Sequence, residues 1–307
     1  MTLQQLKYVI EIVNSGSITE ASKRLYISQP SLSTAVKELE NEMGIEIFNR
    51  TSKGISLSSD GVEFLSYARQ VIEQTELLEL RYKDKKVIKK ICSISTQHYA
   101  FAVNAFSNLI KKLNVSEYEV TLRETKTYEI INDVANFYSE IGILYLNSFN
   151  KKVLTKLFKE NNLKFIELFK AEPHVFISKN NPLANKSIVT IDDLKEYPFL
   201  CFEQGNYNSF YFSEEILSTL PKKKIIHVSD RATLFNLLIG LNGYTICTGI
   251  LNSNLNGNDI VSVPLDTNQD ILIGYLINPK VVLSKFAKEY IQELKDIIQN
   301  DGYSIIN

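Results

Sequence analysis

The side chains with chemistry to offer are small and mostly uncharged. Residues 28–34 read Ser28-Gln29-Pro30-Ser31-Leu32-Ser33-Thr34, four hydroxyls and one amide around a proline. This is a helix start: Ser28 can cap, and Pro30 falls in the first turn, where no intrahelical donor is lost. Hydroxyl and amide groups on the open face of such a helix can approach base edges and phosphates closely, and the N-terminal amides favour phosphate. Gln29 suits the N6 and N7 edge of adenine, and Ser31 and Ser33 suit either base type or a phosphate. Thr34 and Lys37 extend the same candidate surface, and Arg50 and Lys53 follow it in a predicted hairpin.

A second group, Ser95-Thr96-Gln97, comes after an apolar strand pattern and opens a helical one. Two hydroxyls and an amide at a strand-to-helix junction suit an anion or carboxylate, because unpaired amides and the helix dipole favour negative charge there. Plain N-capping by Ser95 or Thr96 is the other reading, and the two are compatible. Asn147, Phe202, Glu203 and Thr248 each follow another predicted strand and are candidates for the same cleft. Glu203 would repel a dianion and pair with an ammonium group, which favours a zwitterion over sulfate.

Enzyme chemistry finds little support. His98, His174 and His227 have no metal spacing and no acid paired to them in sequence. There is no phosphate-binding glycine loop, no dinucleotide fingerprint and no nucleophile elbow. No metal or cofactor is expected. Cys92, Cys201 and Cys247 are odd in number and lack CxxC spacing, which reads as reduced, buried thiols. The opening residues show no signal-peptide pattern, and no apolar run approaches the ~20 residues of a membrane span, so the expected location is the cytoplasm.

The elements that would position these groups follow from periodicity. Leu3, Leu6, Val9, Ile10 and Val13 make one helical face. Ser17-Ile18-Thr19-Glu20 has capping-box form and starts a second helix, ending near Leu25. Ser28 starts a third, buried through Leu32, Val36 and Leu39 and closed by Gly44. Two short strands around Lys53-Gly54 follow. Two short helices meeting across a tight turn, the second opened by polar residues, have the layout of a helix-turn-helix, with the hairpin as a wing. Residues 1–58 carry six basic and six acidic residues, so binding there must rest on local placement rather than on bulk charge.

Residues 59–88 read as one long helix of about eight turns. Phe64, Val71 and Leu78 are seven apart, with Leu65, Ala68 and Ile72 on the same side, a seam that suits helix pairing between two chains; packing on its own domain is the alternative. From residue 89 strands and helices alternate as in βαβ units, twice over, including a helix after Tyr207. The expected organisation is 1–58, 59–88 and 89–307, the last divided into lobe I (about 89–164 and 266–307) and lobe II (about 165–265). No internal repeat is visible.

At these residues the sequence resembles the LysR-type transcriptional regulators. The similarity runs through Gly16-Ser17, Glu20-Ala21-Ser22, Ser28-Gln29-Pro30-Ser31-Leu32-Ser33, Leu39-Glu40, Met43-Gly44, Ile47-Phe48-Asn49-Arg50 and Ser58-Ser59-Asp60-Gly61, with weaker cues at Asn181–Ala184 and Ile191–Leu194. The resemblance implies a winged helix-turn-helix, a linker helix and a two-lobed α/β effector domain like a periplasmic binding protein. It also implies duplex DNA, a small-molecule effector, a second copy of the chain (in a dimer or tetramer) and RNA polymerase as partners, with the effector changing the angle between dimers on DNA. Thr96-Gln97-His98-Tyr99-Ala100 is similar to a stretch of the family's cysteine-biosynthesis branch, whose members sense sulfate or acetylated serine derivatives. A solute-binding protein, or a winged-helix repressor of another family, are the competing readings.

Overall fold

The computed structural model describes residues 1–51, 54–83, 90–113, 117–251 and 257–306. It contains two compact units, Met1–Ile88 and Lys89–Asn307.

The first unit opens with α1 (Leu3–Ser15), α2 (Ile18–Arg24) and α3 (Gln29–Met43). Thr2 and Gln5 close a reciprocal capping box on α1. Ser17 caps α2 by accepting the Glu20 N–H at 3.0 Å. The Glu20 carboxylate does not reach back to complete the expected box; it lies 3.7 Å from Arg24 and 3.8 Å from Lys23. Ser28 accepts the Ser31 N–H at 3.2 Å and caps α3. Gly16 and Gly44 end α1 and α3 in the left-handed conformation. Val9, Ile12, Ala21, Leu32, Val36, Leu39 and Ile47 form the core beneath them. The wing is β1 (Phe48–Thr51) paired antiparallel to β2 (Gly54–Leu57).

Helix α4 (Ser59–Lys83) follows, and Ser58 caps it by accepting the Gly61 N–H at 2.8 Å. Its apolar residues divide between two sides. Ala68 and Ile72 are buried against Leu6 of α1, and Leu65 joins the core of the first three helices. Phe64 is half-buried between the two groups. Val71 and Leu78 remain 42% and 57% exposed. The six residues expected on one pairing seam therefore do not share one face, because Leu65, Ala68 and Ile72 follow the 3- and 4-residue spacing that turns toward α1.

The second unit holds two five-stranded sheets. The first contains β3 (Lys90–Thr96), β4 (Tyr118–Glu124), β5 (Ile141–Leu146), β6 (Lys164–Ala171) and β12 (Ile271–Ile277), in the order β4-β3-β5-β12-β6. The second contains β7 (His174–Ser178), β8 (Phe199–Phe202), β9 (Ile225–Val228), β10 (Tyr244–Cys247) and β11 (Ile260–Pro264), in the order β9-β8-β10-β7-β11. The two orders correspond strand for strand: three parallel strands, one antiparallel strand, then an edge. A repeat exists in topology although none shows in sequence. Strand β6 pairs with β12, so it belongs to lobe I, and the expected lobe boundary at 165 moves to the Glu172–Pro173 step, where the chain leaves the first sheet. Pairing across 100 residues decides this, and local pattern cannot report it.

In lobe I, α5 (Ala100–Lys112) and α9 (Lys285–Asn300) pack together, with the Tyr290 hydroxyl donating to the Ala102 carbonyl at 2.9 Å. Helices α6 (Thr127–Ala135) and α7 (Lys151–Glu160) bury Ile130, Ile131, Val134, Leu154 and Phe158 with Leu144, Leu146 and Leu276 of the sheet. In lobe II, α8 (Arg231–Gly240) sits on β7, β8, β9 and β11. Residues 203–217 do not form the helix expected after Tyr207. Apart from one short turn at Phe210–Phe212 they run as an irregular strap.

Candidate functional site

Two regions carry candidate residues. On the first unit, the start of α3 is open to solvent: Ser28, Gln29, Pro30, Ser31, Thr34 and Lys37 are exposed and Ser33 is half-buried. Gln29 Nε2 donates to Ser33 Oγ at 3.0 Å, and Ser28 and Ser31 hydroxyls lie 2.7 Å apart. These polar groups thus satisfy one another across the first turn and are preorganised on one surface. Arg50 lies in β1, on the wing. Lys53 lies outside the described residues. Tyr26, in the turn between α2 and α3, has φ 55° and a side chain 95% exposed.

On the second unit, α5 begins at Ala100, later than expected, so Ser95 and Thr96 are strand residues and not a helix start. All three expected anion ligands are buried and engaged within lobe I. Ser95 Oγ donates to Asp133 at 2.6 Å, and Asp133 also accepts from Arg123 at 2.8 Å. Thr96 Oγ1 donates to the Gln97 carbonyl at 2.8 Å. Gln97 Nε2 donates to Thr127 Oγ1 at 2.6 Å, while its Oε1 accepts the Tyr99 hydroxyl at 2.8 Å and the Tyr145 N–H at 3.0 Å. The trio braces β3, β5 and α6 against one another.

The group that does face lobe II is His98. Its N–H donates to Glu214 Oε2 at 2.9 Å, and its Nδ1 lies 2.9 Å from the same oxygen and 3.1 Å from Oε1. Burial alone would lower the His98 pKa, but the charge and hydrogen bond of Glu214 outweigh it and raise the value. Glu124 adds in the same direction and Arg231 opposes. The ring stacks on Phe202 at 3.8 Å between centroids. The Phe202 N–H donates to Glu215 at 3.0 Å. Burial and the neighbouring Glu214 push the Glu215 carboxyl well above the usual range, which favours its neutral form.

More links cross from lobe II to lobe I. Arg231 Nε lies 3.0 Å from Glu124. Gln204 Oε1 accepts the Thr127 N–H at 3.0 Å, and Thr127 Oγ1 donates to the Phe212 carbonyl at 2.8 Å. The Tyr145 hydroxyl donates to the Ser213 carbonyl at 3.0 Å. Tyr128 stacks on Tyr207 at 3.5 Å and Phe149 on Tyr211 at 4.7 Å.

Two small cavities lie on either side of the strap. One, of about 30 Å³, is lined by His98, Phe202, Glu214, Glu215, Thr245 and Cys247 among others. The other, of about 90 Å³, is lined by Tyr145, Asn147, Phe149, Glu215, Thr219 and Gln269 among others. Asn147 lines the second of these cavities. Two expected lining residues are elsewhere. Glu203 points outward and pairs with Lys126 at 3.0 Å, which removes the argument it offered for a zwitterion. Thr248 is buried with its carbonyl accepting the Tyr303 hydroxyl at 3.0 Å; Thr245 and Cys247 line the first cavity instead.

The sequence model of the bacterial regulatory helix-turn-helix proteins of the lysR family matches residues 3–62, and that of the LysR substrate binding domain matches residues 94–297. The chain belongs to the LysR family of transcriptional regulators. It is 26% identical to the uncharacterized HTH-type transcriptional regulator YvbU of Bacillus subtilis over 218 residues, 68% of this chain and 69% of that protein. Over 81 residues, 26% of this chain and 28% of that protein, it is 37% identical to the HTH-type transcriptional regulator ClcR of Pseudomonas putida. In fold it is similar to a full-length point mutant of BenM, with TM-score 0.51 and 18% identity, covering 100% of this chain and 99% of that one. A cysteine mutant of OxyR from Corynebacterium glutamicum gives TM-score 0.51 and 16% identity over 97% of this chain and 93% of that one. Among the described residues no helix is long and apolar enough to cross a membrane, and no cluster of His, Cys, Asp or Glu could hold a metal ion.

Proposed function

We propose that this LysR regulator reads duplex DNA with the α3 start and wing of two subunits, and that its effector is a small carboxylate-bearing metabolite bound between lobes I and II. The observation that supports the effector class is the His98 N–H and imidazole, both aimed at one carboxylate in the interlobe cleft. An amino-acid derivative is compatible with that donor set, and so with the similarity of Thr96–Ala100 to the cysteine-biosynthesis branch. Asn147, Phe202 and Glu215 line the site; Ser95, Thr96 and Gln97 brace it from behind.

Ser28, Gln29, Ser31, Ser33, Thr34 and Lys37 supply the reading surface, and Arg50 and Lys53 the backbone contacts. Tyr67, Val71 and Leu78 form an exposed apolar stripe on α4 at four- and seven-residue spacing, the face on which a second copy pairs. RNA polymerase is the downstream partner and the cytoplasm the site of action. The test is selection of a binding site from random duplexes, followed by titration with amino acids, their acetylated forms and small anions. A selected sequence whose protection pattern changes with one carboxylate supports the reading. No sequence preference, or a response only to non-acidic ligands, sinks it.

A further inference from the structure

We infer that Glu214 is a tethered occupant of a carboxylate site on lobe I, and that the effector acts by taking its place. The inference rests on the reading of the interlobe cleft as the effector site. Its basis is the chemistry of what Glu214 touches. Lobe I offers a backbone N–H and a ring nitrogen, both from His98 and both within 3.1 Å of one carboxylate. A charged carboxylate accepting from two such donors is the stronger class of hydrogen bond. From lobe II itself, Gln204 Nε2 approaches the same carboxylate at 3.2 Å.

The segment that carries Glu214 behaves as a ligand would. It lies between helix starts and strand ends of lobe I, and it is held largely through backbone carbonyls, those of Phe212 and Ser213, and through stacked rings. Tyr207 and Phe210 at the front of the strap are 45% and 56% exposed, whereas the segment is anchored behind Glu214 by Ile216, which is buried in the hydrophobic core.

Space makes the same point. The cavities beside the strap measure about 30 and about 90 Å³, and Glu215 lines both. A ligand pocket runs to roughly 300–1,000 Å³. The smaller cavity has room for about one water. Withdrawing Glu214 and Glu215, with Ile216 left in the core, would join the two cavities and free the His98 donors in one movement. Binding and displacement are then one event, and the energy of the Glu214 contact sets a threshold that an effector must exceed.

The test uses the full chain and acetate. Glu214→Ala deletes one methylene and the carboxylate, which are the atoms of acetate. At matched ionic strength against chloride, acetate at ten times its Kd should raise the melting temperature of the variant by roughly 3–5 °C. Wild type should not respond, because the site is filled. Glu203→Ala, which removes the exposed neighbouring acid, should behave as wild type. A folded Glu214→Ala protein that ignores acetate, or an equal response in Glu203→Ala, overturns the inference. If Glu214→Ala does not fold, Glu214→Gln serves. Its amide keeps an acceptor for the His98 N–H but loses the charge, so acetate should compete, and no response there overturns the inference too. The readout contains no DNA. Acetate rescue without any effector-dependent DNA response would therefore count against the regulatory reading alone, and the reverse result against the tethered occupant alone.

Discussion

The Glu40 carboxylate accepts the backbone N–H of Ile47 at 2.8 Å, and the same oxygen accepts that of Phe48 at 3.0 Å. One side chain near the end of α3 thus fixes the entry to the wing. It also explains an acidic residue in a domain that binds a polyanion: its charge is directed inward onto two amides.

Glu40→Ala should therefore cost about 1–3 kcal/mol, the penalty for leaving partly buried donors unpaired. Denaturant unfolding of the first unit's transition would show it. DNA affinity should fall with it, although Glu40 itself is expected to touch no base. A variant with unchanged stability would mean that water replaces the carboxylate at no cost.

Gly61→Ala tests the junction of wing and α4. A Cβ there would stand 2.1 Å from the Ile47 carbonyl oxygen, and backbone cannot swing away as a side-chain tip can. Overpacking of this kind costs roughly 1–3 kcal/mol. Circular dichroism melting should show a lowered transition, with α4 displaced from Ile47.

The two sides of α4 should separate in their effects. Ile72→Asp buries an unpaired charge against α1 and should unfold the first unit. Leu78→Asp, on an exposed residue, should leave folding intact and shift sedimentation toward the monomer. Equal sedimentation of wild type and Leu78→Asp would remove this stripe from the pairing surface.

The His98–Glu214 contact predicts a pH dependence with a definite sign. The folded pKa of His98 lies above its ordinary value of 6.5. The stabilisation is complete below that ordinary value and is lost as pH rises through the folded one. The groups that set it are Glu214 and Glu124, which raise the pKa, and Arg231, which lowers it; Asp230 also senses the His98 charge. Melting temperature should fall across this window in wild type. In Glu214→Gln, where burial is no longer outweighed, the fall should vanish or reverse, with stability rising as pH passes upward through the ordinary His value.

How much of this was legible in the sequence depends on range. Ser28, Pro30 and Gly44 state the limits of α3 within a few residues of chain, and the structure keeps them. The start of α5 was misplaced because Tyr99, its N-cap, makes no side-chain cap, so nothing local marks the boundary. That shift moved the available N–H from the Ser95–Gln97 stretch to His98. Glu214 was invisible for a different reason: its partner is 116 positions away, and a glutamate in an aromatic-rich run carries no sign of it. The absence of helical periodicity in residues 203–217 was the one available signal.

Strands β6 and β12 are antiparallel neighbours, and Ala171 stands opposite Ile271 across the pair. Residues so placed are about 5 Å apart at Cα. All of lobe II is inserted between two points that a hairpin turn of two to five residues, by the usual lengths, would join. Lobe I is thus a continuous sheet with lobe II as an insertion that shares a hydrophobic core with it. A chain in which Ala171 meets Ile271 through such a turn would keep about two thirds of its length and carry His98 and Thr127 without the strap, with the part of the shared core that lobe II covers laid open.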